Sequence, residues 1–192
     1  MPRPARWSRA LRQHWQGLDL DQAAGLVADA AGLAGRLLPY TRIDGRPVFP
    51  LVTVDREVVV RRIGRRQGPI LDRTLLRDFA TTGFADAPPE AVVLSGFVVV
   101  EPFVVARRHL VGLRTWAPTV LAVPSRRPLR SFETAECDYH DHQVYLTDGR
   151  EASALQSGAV RHEPAQRRAD AWRRLRDEQM FQLALESGLL PC

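Results

Sequence analysis

The sequence contains no lysine; all 27 of its basic side chains are arginine. That absence removes whole classes of chemistry. Without lysine there is no Walker-A phosphate loop, no kinase strand lysine and no Schiff-base enzyme. Cysteine is scarce as well. Cys137 and Cys192 stand far apart in the chain, which makes no disulfide framework, and a reducing cytoplasm is the expected compartment. No uncharged apolar run reaches the roughly 18 residues of a membrane-spanning helix. The first residues lack the apolar core of a secretory signal. A Gly-x-Ser-x-Gly nucleophile elbow does not occur.

What remains is the composition of an ordinary globular chain. At 192 residues it suits one domain, and at 45% hydrophobic and 26% charged it can fill a core and still face water. The net charge is +5. An arginine-only balance fits a GC-rich coding sequence, yet it has chemical consequences: guanidinium pairs planar anions bidentately and stacks on aromatic faces. A basic surface of this kind suits nucleic acid, anionic lipid or an acidic protein, and an excess this small also fits plain solubility.

Residues 91–125 carry the strongest structural signal. Val, Phe and Leu dominate, interrupted at Gly96, Glu101-Pro102, Arg107-Arg108 and Ala117-Pro118. β-branched and aromatic side chains in strand-length runs predict two or three central strands. Residues 40–49 read as a loop with an Asp44-Gly45 turn, and residues 51–63 as a strand or hairpin turning at Asp55-Arg56. Residues 132–146 read as a further strand, closed by an Asp148-Gly149 turn. Residues 1–18 read as a basic amphipathic helix with Trp7, Leu11, Trp15 and Leu18 on one face. A second helix, capped by Asp19 with Gln22 three residues on, is expected to run to Pro39. Asp72 to Phe79 suits a short helix. A long helix is expected from Glu163-Pro164, with Ala165, Ala169, Trp172, Met180 and Leu183 on its apolar face and Gly188 as its C-terminal cap. The fold class expected is α+β: an antiparallel or mixed central sheet covered, on one face, by the N-terminal and C-terminal helices. The expected organisation is one domain made of an N-terminal helical segment (1–39), a β-rich core (40–162) and a C-terminal helix packing on it (163–192).

Three clusters could carry chemistry. On a strand, Asp138, His140 and His142 would point to one face, and two imidazoles with one carboxylate suit iron(II) or zinc. Cys137 could act as a nucleophile if His109 or His162 lay beside it, and Glu133 with Glu136 could serve as acid and base. Arg61, Arg62, Arg65 and Arg66 form the densest basic cluster, and amides near Gly64 and Gly68 could help them cradle phosphate. Trp7 and Trp15 on the first helix either engage a partner or pack on their own domain; the latter is slightly favoured.

No complete catalytic motif is present. The leading expectation is therefore a non-enzymatic binding or assembly protein without a cofactor. It would engage a protein or nucleic acid through its arginine-rich surface or first helix, with self-association open. The alternative is a metal-dependent enzyme built on Asp138, His140 and His142.

Overall fold

The computed structural model describes residues 7–156 and 168–190, the side chains of 168–170 excepted. Short polar side chains open the early helices. Ser8 Oγ accepts the Leu11 amide (3.1 Å) and opens α1, Arg9–Trp15. Asp19 accepts from Asp21 and Gln22 and opens α2, Leu20–Ala30. Asp55 accepts from Val58 (3.0 Å) and opens α3, Arg56–Gly64, while Asp72 opens α4, Arg73–Thr81. Each such cap satisfies amides that the helix cannot, worth about 1 kcal/mol. The later helices are α5, Phe103–Arg114; α6, Ser131–Tyr139; and α7, Arg168–Glu186.

The strands are β1 (Arg36–Leu37), β2 (Thr41–Ile43), β3 (Arg46–Val54), β4 (Val92–Val99), β5 (Thr119–Pro124), β6 (Gln143–Thr147) and β7 (Ala152–Gln156). They form one mixed sheet in the order β1-β3-β4-β5-β6-β7, with β2 paired to β3. β4, β5 and β6 are parallel and are joined through α5 and α6; the pairs β3–β4 and β6–β7 are antiparallel. Two turns read from the sequence are present, the first within a hairpin of β2 and β3 where residues 40–49 are expected as a loop. Asp44 and Gly45, both at positive φ, turn β2 into β3, and Gly149 (φ 86°) turns β6 into β7.

This is the α+β architecture with flanking helices, and the helices cover both faces of the sheet rather than one. Alternate strand residues sort cleanly. Val48, Phe97, Val99, Leu121 and Val144 face α3, α5 and α7; Phe49, Val98, Val120, Ala122 and Tyr145 face α1 and α2. Among the described residues no helix is long and apolar enough to cross a membrane.

Three stretches expected as strands contain helices. Residues 56–64 are α3, because the Asp55 cap and buried Val58, Val59 and Arg62 on one face outweigh the β propensity of three valines in a row. Within the central stretch, residues 103–114 are α5. Phe103, Ala106, Leu110 and Leu113 are buried at helical spacing, and the misleading Val104, Val105 and Val111 lie on its outer face. Residues 131–139 are α6, started by Glu133 accepting the Arg130 amide (2.8 Å). The second helix stops at Ala30, not Pro39, because Gly32 and Gly35 adopt positive φ and lead into β1. At Gly35 (φ 125°) an added Cβ would lie 2.6 Å from the Val52 carbonyl oxygen.

The long C-terminal helix is capped by Gly188 as expected (φ 71°), but its sides differ from the expected pattern. Trp172 is exposed, whereas Arg174, Arg176, Asp177 and Glu178 are buried with Met180 and Leu183. The expected start at Glu163-Pro164 and Ala165 lies outside the described residues, as do the Ala169 side chain, His162 and Cys192.

Candidate functional site

The residues singled out for binding in the sequence divide between surface and core. Trp15 is buried; its Nε1–H donates to the Val100 carbonyl (2.7 Å), and Trp7, half-buried, packs against the same core cluster. The first helix therefore covers its own domain and does not offer Trp15 to a partner. Arg61, Arg65 and Arg66 are exposed, but Arg62 is 1% exposed and forms an ion pair with Glu178. Part of the expected phosphate cradle is engaged within the fold. The amides of Arg65, Arg66 and Gln67 donate within the end of α3, and that of Ile70 donates to Glu178. The carbonyls of Gln67 and Gly68 turn inward to Arg62.

The strand premise for Asp138, His140 and His142 falls as well. Asp138 is in the last turn of α6, His140 caps that helix, and Asp141 (φ 54°) turns the chain before β6. A helix end followed by a left-handed residue does not put alternate side chains on one face. Asp138 Oδ1 instead accepts from Gln156 Nε2 on β7 (2.9 Å). Among the described residues no three of His, Cys, Asp and Glu gather so as to hold a metal. Cys137 is fully buried, and burial beside Glu136 and Glu133 pushes its thiol up to about 12, the opposite of an activated nucleophile. His109 lies apart from it, with Nδ1 3.2 Å from Glu101.

The two histidines nevertheless mark a cleft. It lies between α5 and α6, holds about 240 Å³, and is lined by Phe103, Arg107, Arg108, Val111, Glu136, His140 and His142. α5 supplies Arg107 and Arg108 because its buried face is fixed by Phe103, Ala106, Leu110 and Leu113, leaving 104, 107, 108 and 111 outward. Arg107 Nη1 donates to both oxygens of Glu136 (3.1 and 3.3 Å) and ties the two helices together. Arg114 fastens the far end, donating to the His140 carbonyl (2.6 Å). Behind the cleft the backbone is held by the His142 amide, which donates to the Cys137 carbonyl (2.8 Å).

His142 is 3% exposed, and its Nδ1 finds no hydrogen-bond partner among the described residues. Burial, helped by the Arg114 charge, pulls its pKa down to about 4, so the ring is neutral at pH 7. The rings stack outward from it: His142 on His140 (5.7 Å), then Tyr139 edge-on to His140 (5.0 Å). Tyr139 is 85% exposed and Phe132, about two turns earlier on α6, is 59% exposed. Across the cleft, α5 exposes Val104 and Val111.

A larger groove of about 630 Å³ runs between α4 and α7, but the side chains found to line it include no acid and no imidazole. The α5–α6 cleft brings imidazole, guanidinium and carboxylate groups together. Sequence reasoning found His140 and His142 and considered Glu136, but missed the Arg107, Arg108 and Val111 side of the cleft. The apolar spacing at 103, 106, 110 and 113 was the signal that would have exposed it. No family model matches the chain, and neither a curated protein nor a solved structure is significantly similar to it.

Proposed function

We propose that this is a non-enzymatic binding or assembly protein that docks a partner protein across the outer face of α5 and α6. One observation carries the proposal: the two helices that form a cleft lined by Arg107, Arg108 and Val111 also expose Val104 on α5 and Phe132 and Tyr139 on α6. Aromatic and arginine side chains around a small depression are the make-up of an interface centre, and contiguous apolar surface is uncommon on soluble monomers. A protein fits this face better than nucleic acid does. Arg107 is paired with Glu136 and Arg114 lies near Asp141, and α6 adds Glu133 and Asp138, so phosphates would meet carboxylates among the arginines. A metal-dependent reaction at Asp138, His140 and His142, with iron(II) or zinc, draws less support, since Asp138 is engaged by Gln156.

Photo-crosslinking in the native cell tests the proposal. A benzophenone side chain is placed at Tyr139, at Val111, and at Val60, an exposed control on α3. The expected result is one protein joined from Tyr139 and from Val111 but not from Val60. Its affinity, measured with purified components, should fall about tenfold or more with Val111→Asp. A product of twice the chain's own mass identifies the partner as a second copy. Cross-links indistinguishable from those at Val60, or affinity unmoved by Val111→Asp, would refute the proposal.

A further inference from the structure

We infer that the α5–α6 cleft reads a carboxylate: an acidic side chain of the docked protein enters it, pairs with Arg108 and hydrogen-bonds to His142. The inference rests on the docking face proposed above and names what that face selects.

Three properties of the cleft lead to this ligand. The first is an imidazole on its inner wall. His142 is 3% exposed yet lines the cleft; its Nδ1 is closed to solvent and has no hydrogen-bond partner among the described residues, so a ligand meets the ring at its cleft-lining edge. A neutral imidazole offers one N–H and no charge, so the charge must come from elsewhere. The second property is that source. Arg107 is already bound to Glu136, while Arg108 forms no ion pair among the described residues. The cleft thus holds two guanidinium groups and one carboxylate, leaving a single positive charge to be matched. One ionised carboxyl matches it; a phosphate monoester, at about −1.5 to −2, overshoots beside Glu136.

The third property is size. A volume of about 240 Å³ lies below the roughly 300–1,000 Å³ of sites that enclose a whole small-molecule ligand. It suits a side chain, with methylenes against Phe103 and Val111 and the carboxyl toward Arg108 and His142. Val104, Phe132 and Tyr139, exposed on the same two helices, then take the apolar neighbours of that side chain, which a free small acid would leave in water.

The test uses the intact chain and needs no partner. Blocked probes acetyl-Phe-Glu-amide, acetyl-Phe-Gln-amide and acetyl-Phe-phosphoserine-amide are titrated to millimolar concentrations while the imidazole resonances of His142 are followed by NMR. The Glu probe should shift them saturably, the Gln probe should bind at least about tenfold more weakly, and phosphoserine should bind no tighter than Glu. Arg108 is exposed, so Arg108→Gln should leave the fold intact while erasing the preference for Glu over Gln. Equal binding of Glu and Gln, tighter binding of phosphoserine, or unmoved His142 signals would overturn the inference. Cross-linking that fails while this titration succeeds would refute the docking face alone. A silent titration with intact cross-linking would refute only the carboxylate.

Discussion

Replacing Arg62 with methionine should cost far more than replacing any exposed arginine beside it. The side chain is 1% exposed and uses all its donors: Nε to Gln67, Nη1 to Pro89 and Glu178, Nη2 to Gly68 and Glu178. Its guanidinium also lies 4.8 Å from the centre of the Phe181 ring. Glu178 in turn accepts from Arg62 twice, from Arg174 Nε and from the Ile70 amide. Arg62→Met keeps much of the apolar stem but leaves the Glu178 carboxylate buried with half its partners. Removing one member of a buried pair costs about 3–5 kcal/mol. For a chain of this length each kcal/mol lowers Tm by about 2–4 °C, so a fall of roughly 6–20 °C follows. Arg61→Met, next to it but exposed, should stay within about 0.5 kcal/mol of the parent. Urea unfolding followed by far-ultraviolet circular dichroism measures both, with an unchanged m-value required for the comparison. If the two variants lie within about 1 kcal/mol of each other, the network does not anchor α3 to α7 and the reasoning is wrong.

Two further outcomes follow from buried groups and backbone. Burial pushes Asp177 up to about 7, against the hydrogen bond it accepts from the Leu94 amide. Between its unfolded value of 3.8 and about 7 the folded chain holds a proton that the unfolded chain has lost, so this residue makes stability fall as pH rises. His142, pulled down to about 4, acts oppositely: its contribution is full above 6.5 and is lost as pH falls toward 4. The stability gap between Asp177→Asn and the parent should therefore widen in favour of the variant from pH 4 to pH 7, by up to about 1.4 kcal/mol per unit; a gap constant with pH would contradict this. Gly35→Ala should destabilise by about 1–3 kcal/mol, since it forces an alanine into φ 125° against the Val52 carbonyl, whereas Gly25→Ala in α2, with open space at its Cβ, should be neutral or stabilising. Equal thermal midpoints for the two variants would remove the steric account of where α2 must end.

Much of this was legible where a single local rule decides the outcome. The caps at Asp19 and Asp72, the turns at Asp44-Gly45 and Asp148-Gly149, and the Gly188 terminus need only nearby residues to form, and the sequence displays them. α3 and α5 were hidden because valine marks strands in general but serves here as helix surface, at Val60, Val104 and Val111. The parallel β4–β5–β6 unit was lost with them, since its crossovers are α5 and α6. α7 misled in another way. A helix buried on nearly every side has no apolar stripe, and its core charges, Arg174, Arg176, Asp177 and Glu178, look like surface until their partners are seen. The cleft was half visible for the same reason. His140 and His142 are neighbours in the chain, but Arg107 and Arg108 reach them only through packing.

The reach of α7 across the chain bears on the order in which a newly made chain can close. Asp177 binds the Leu94 amide, and Glu178 binds the Ile70 amide and Arg62, over separations of 83, 108 and 116 residues. Synthesis delivers α3, β3 and β4 long before those carboxylates exist. Until they arrive, Arg62 has no counter-charge, and an unpaired guanidinium stays in water rather than entering the core. α3 must then remain undocked, and the part of that sheet face which α3 and α7 cover stays open until α7 is made. A helix made after every strand of the sheet is thus the one that licenses the burial of segments made early, and until it emerges the nascent chain should present apolar sheet to chaperones.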